Sequence, residues 1–188
     1  MDKQYPKNHQ GEKYEEVTCA SETQRSFCVP LVFQQELVPG PAGSFVPLSR
    51  TARNTDNIHG IIKLKFNKNT TRVGYKLYVY NATNISNRIT GAHIHAGAAN
   101  QNGPIIASLF DGPARKSDGR LSEGVITNAD TQLVSAPTPN NYSFNSVASI
   151  YEGIRRALVY VNIHSEEFPD GVIRGQVFAG QQKREGEY

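Results

Sequence analysis

Gly91-Ala92-His93-Ile94-His95-Ala96-Gly97 and, much later, Tyr160-Val161-Asn162-Ile163-His164 are the stretches that decide how this chain folds. In an extended strand alternate side chains share a face. His93 and His95 therefore point one way and Ile94 the other. Asn102-Gly103-Pro104-Ile105-Ile106 follows the first stretch, and Asp170-Gly171-Val172-Ile173-Arg174-Gly175-Gln176-Val177 follows the second. Each pairs turn residues with an apolar run, which reads as a strand, a turn and a return strand. His164 is the only other histidine set in a strong strand pattern, so three of the five histidines are candidates to converge.

The same period extends outward. Ile62, Leu64 and Phe66 share a face of a strand over 58–66, with Lys63 and Lys65 on the other. After the turn Asn67-Lys68-Asn69-Thr70, Val73, Tyr75, Leu77 and Val79 alternate inward, with Lys76, Tyr78 and Tyr80 outward. Further strands are expected from Leu31, over 104–110 (ended by Asp111-Gly112-Pro113), over 121–127, over 158–164 and over 172–178. Phe144, Val147, Tyr151 and Ile154 recur every three or four residues, the spacing of one short amphipathic helix. Seven or eight short strands with turn signals between them predict an all-β fold, an antiparallel, Greek-key-like β-sandwich.

The His93-Ile94-His95-Ala96-Gly97 stretch with Asn102-Gly103-Pro104 resembles the CHRD domain, named after chordin. So does Val161-Asn162-Ile163-His164 with Gly171-Val172-Ile173-Arg174-Gly175-Gln176. The resemblance covers roughly residues 31 to 179 and implies an antiparallel β-sandwich. A fainter likeness to copper/zinc superoxide dismutase lies in the His-x-His pair and the later strand histidine. No histidine stands between His95 and His164, so the bridging imidazole and zinc ligands of that family have no clear counterpart.

Imidazole suits copper or zinc, and three ligands plus water make an open site. His93, His95 and His164 are the candidate metal ligands. The alternative is that they bond backbone groups near a sheet edge. Asn162 shares a face with Tyr160 and His164, and such a polar triplet faces solvent, a partner or a site. Arg174 is expected to act as a clamp, on Glu166, Glu167, Asp170 or a backbone carbonyl. No nucleophile elbow, phosphate loop or zincin motif is present.

The chain has 188 residues, 38% hydrophobic, and a formal net charge of +3 without a basic stripe. Nucleic-acid binding is not indicated, and no apolar run reaches the ~18 residues of a membrane span. The organisation expected is a flexible arm over 1–30, a sandwich over 31–179 and a flexible tail over 180–188. The start of the chain lacks the apolar region of a secretory signal. Cys19 and Cys28 fall in the arm, open to a small disulfide loop, to cross-links between chains or to free thiols. The leading expectation is a non-enzymatic structural or binding module with protein partners or self-assembly. The setting expected for it is a spore coat, exosporium or other surface layer. The alternative is a copper- or zinc-binding redox protein similar to superoxide dismutase.

Overall fold

The computed structural model describes residues 25–39, 45–47, 58–83, 88–132 and 141–179. Ten strands fall among them: β1 (Ser26–Leu31), β2 (Leu37–Pro39), β3 (Phe45–Pro47), β4 (His59–Phe66), β5 (Arg72–Ala82), β6 (Ile89–Ala96), β7 (Ile105–Arg115), β8 (Ser117–Thr127), β9 (Val159–Ser165) and β10 (Ile173–Val177). One sheet has the order β1-β4-β5-β8, the other β10-β9-β6-β7, and β2 and β3 form a separate ribbon. All strand pairs are antiparallel.

Period-two patterning produces the two layers. Val29, Leu31, Ile62, Leu77 and Val79 of the first sheet and Ala92, Ile94, Val161, Ile163 and Ile173 of the second are fully buried. Burying each large aliphatic side chain contributes about 1.5–3 kcal/mol, which pins the register, because a one-residue slip would turn these residues outward. The β4–β5 turn is held by Asn67, whose Oδ1 accepts from the backbone N–H groups of Thr71 and Arg72 at 2.9 and 3.0 Å. The expected helix is α1 (Val147–Arg155), started by a capping box between Ser146 and Ser149. Its Tyr151 ring meets Phe66 at 5.1 Å and Phe27 at 6.2 Å between centroids. Arg155, the last helical residue, and the C-cap Arg156 are exposed to solvent.

Four features depart from the sequence reading. The sandwich begins at Ser26, ahead of the expected boundary at 31, and Cys28 stands inside β1 opposite Lys63, not in a tail. Pro30 is tolerated there because β1 is an edge strand. β7 does not stop at Asp111-Gly112-Pro113 but runs to Arg115, again as an edge strand where the missing N–H of Pro113 costs no ladder bond. β8 starts at Ser117, ahead of the expected 121. Tyr78, expected outward in water, is buried at 7% exposure. The described residues contain no free cysteine. Cys19, the remainder of the arm and the tail over 180–188 lie outside the described residues.

Candidate metal centre

The apolar residues of β6 and β9 face the core, so their alternate positions form the outer face of the second sheet. On β6 that face carries Gly91, His93 and His95. On β9 it carries, directly opposite, His164, Asn162 and Tyr160. Opposed residues in an antiparallel pair share a face, and this register gathers the three histidines. Gly91 makes the gathering possible. A Cβ there would lie 3.0 Å from Cε1 of His93 and 3.7 Å from Cδ2 of His164. The ring centroids of His93 and His164 are 5.0 Å apart, those of His93 and His95 5.8 Å, and those of His95 and His164 5.9 Å. One nitrogen from each ring lies within 4.8 Å of the others.

The second nitrogen of every ring is engaged. His95 Nδ1 meets the Gly103 carbonyl oxygen at 2.9 Å, His164 Nδ1 the Pro169 carbonyl oxygen at 2.8 Å, and His93 Nε2 the Asp111 carboxylate at 2.7 Å. These partners only accept, so each ring donates its N–H to them. That fixes the tautomer and leaves the lone pair on the other nitrogen. Those other nitrogens, His93 Nδ1, His95 Nε2 and His164 Nε2, are buried and have no partner. Burial, the largest cause, pushes His95 down to about 4, with the charges of His164, His93 and Arg174 acting the same way against the Gly103 carbonyl. Burial likewise lowers His164. Asp111 is held below the usual carboxylate range by its bond to Ser108 and then by His93. His95 and His164 are therefore neutral near pH 7, the form that ligates metals.

An outer sheet face is normally wet, yet here Asn162 is 3% and Arg174 2% exposed. Three segments cover it. The stretch 32–37 docks through Val32, which exchanges two backbone hydrogen bonds with Arg174 at 2.9 and 3.1 Å. The loop 97–104 is gripped by Arg174, which donates to Asn102 Oδ1 and Gln101 O at 2.9 Å and Ala98 O at 3.1 Å. The turn 166–171 supplies the Pro169 carbonyl. The Arg174 guanidinium lies 3.4 Å from the Tyr160 ring centroid, and Tyr160 stacks on His95 at 4.8 Å.

The sequence profile of the CHRD domain matches residues 44–177. The chain belongs to the CHRD-domain family. The match takes in β3 to β10 and α1, while β1 and β2 lie ahead of it. No significant match to the chain exists among curated proteins or solved structures. No helix of the described residues is long and apolar enough to cross a membrane.

Within this CHRD sandwich the expected residues divide clearly. His93, His95 and His164 come together with Asn162 among them. Arg174 stands beside them and clamps backbone carbonyls, one of its expected roles. Its expected acidic partner Glu166 pairs with Arg88 at 2.8 Å instead. Cys28 is in the opposite sheet. Asp111 was legible only as a strand terminator, although its place in the return strand after the His-x-His pair was the available signal. Glu36 carried no signal at all. It is fully buried, with Oε1 accepting from Leu37 N at 3.0 Å and Oε2 without a partner. Burial, its largest influence, raises it to about 7. Among the described residues the histidines are the one group of three or more ligand types placed to share an ion, so the second metal of the dismutase pattern has no counterpart there.

Proposed function

We propose that this CHRD domain is a binding module whose three-histidine centre holds a single transition-metal ion, copper or zinc. The observation that carries the reading is that the three rings each bring a nitrogen within 4.8 Å of the others, and that each has one buried, unpartnered nitrogen while its opposite nitrogen is tied to an oxygen acceptor. Such oxygen partners orient and strengthen histidine ligands. Three buried lone pairs in a dry site each forfeit a hydrogen bond, and a cation relieves all three at once. For Zn–N bonds of about 2.0–2.1 Å, nitrogens around a tetrahedral ion stand about 3.4 Å apart. The rings thus need only a small inward rotation from their spread of 4.8 Å.

The expected setting, a spore coat or other surface layer joined by cysteine cross-links, gains no support from Cys28, which is held within β1. The proposal rests on the histidines alone. Calorimetric titration of Cu(II) and Zn(II) into wild type and His95→Ala tests it. One ion per wild-type chain is expected, with binding lost or weakened at least a hundredfold in the variant. Equal binding by both proteins, or none by either, refutes the reading.

A further inference from the structure

Seven buried side-chain polar atoms lack a partner among the described residues, and five belong to the covered face: Glu36 Oε2, His93 Nδ1, His95 Nε2, Asn162 Oδ1 and His164 Nε2. Unpaired buried polar groups are rare and costly, so this concentration requires an account. The ion answers the three nitrogens. It does not answer Asn162.

The Asn162 carboxamide is oriented by its own donor. Nδ2 donates to Asp170 O at 3.2 Å, on the side where Glu36 and Gly171 lie. Gly171 has φ +139°, and a Cβ on it would sit 2.5 Å from the Glu36 carboxylate and 2.6 Å from Asn162 Nδ2. The Oδ1 end is thus the end facing away from that contact. Along β9, Asn162 lies between Tyr160 and His164, and across the sheet it faces His93. The neighbouring donors are spent elsewhere. Arg174 Nη1 and Nη2 bind the 97–104 loop, the Tyr160 hydroxyl bonds with Gly103, and His93 Nε2 bonds with Asp111. An acceptor is left over on the floor between three metal ligands.

Three imidazoles leave a tetrahedral ion one ligand short. We propose that Asn162 Oδ1 is the hydrogen-bond acceptor for the exogenous ligand in that fourth position, which selects a small protic oxygen ligand, water first of all, over an aprotic anion. This deepens the metal reading and rests on it. A carboxamide oxygen accepts and cannot donate, so a ligand bearing a proton gains a bond there and azide does not.

The test uses the full chain loaded with Cu(II) alone and titrated with azide, followed by the azide-to-copper charge-transfer absorption. Wild type is compared with Asn162→Leu, which keeps the volume and removes the acceptor, and with Asn162→Ala, which serves if the leucine variant fails to fold. Both variants keep the three histidines and should take up copper. Their bound water has lost its acceptor, so azide should displace it with roughly five- to tenfold higher affinity, the worth of one hydrogen bond. Azide affinity unchanged from wild type in the folded variants overturns the assignment of Asn162 while the metal reading stands. A wild type that takes up no Cu(II) overturns both.

Discussion

Glu36 and His95 are both deeply buried, and acid acts on them in opposite senses. His95 is lowered from 6.5 to about 4. Between those values the unfolded chain holds a proton that the folded chain refuses, so stability falls as pH falls. At about 1.36 kcal/mol per pH unit, the loss reaches about 3 kcal/mol by pH 4. Glu36 is raised from 4.5 to about 7. Between those values the folded chain holds the proton, so its contribution grows by about 3 kcal/mol as pH falls through that window. From pH 6.5 to 4.5 the two slopes oppose each other, and the wild type should be nearly flat apart from a smaller acid loss from His164, which is lowered as well. The variants separate them. In urea unfolding of metal-free protein with chelator present, Glu36→Gln should lose about 3 kcal/mol between pH 6.5 and 4, the slope His95 leaves behind. His95→Gln should instead gain stability from pH 7 down to 4.5 by a similar amount, about 3 kcal/mol. If the three proteins give parallel profiles, neither group is buried in the state described here and the account of the covered face is wrong.

Two further predictions concern the covering segments. Arg174→Lys keeps the charge but loses the fork that holds Asn102, Gln101 and Ala98; it should cost about 3 kcal/mol in denaturant unfolding and speed amide hydrogen exchange over 97–104, and unchanged exchange there would rule out the clamp. Gly103→Ala would place a Cβ 1.7 Å from Ala96 O; thermal unfolding should show a loss of about 2–4 kcal/mol, and the His95 ring, freed from the Gly103 carbonyl, should change its NMR tautomer signature.

Period-two alternation made the β4–β5 and β9–β10 hairpins legible, and the spacing of Phe144, Val147, Tyr151 and Ile154 did the same for the helix. The meeting of the histidines was legible because a His-x-His strand and a second histidine strand need only lie side by side. What covers them was not. Asn102 Nδ2 donates to Leu37 O across 65 positions of sequence at 3.3 Å, and no local pattern encodes such a contact. A polar strand face reads as open until loops fold over it, which is why the Asn162 face read equally as one for solvent, a partner or a site. β1 was hidden by its own composition. Ser26, Cys28 and Pro30 alternate with Phe27, Val29 and Leu31, and a proline lowers the strand signal although an edge accommodates it.

The backbone bridge between Val32 and Arg174 is antiparallel. The first strand therefore runs toward the bridge as the last strand runs away from it, and Ser26 and Val177 sit toward the same end of the sandwich. Chain arriving at Ser26 and chain departing from Val177 leave from neighbouring points, the arrangement that lets a domain be inserted into a loop of a host protein without prying the host apart. Tension applied through both ends would therefore pull on one strand of each sheet from the same side, with the Val32–Arg174 bridge lying at their far end.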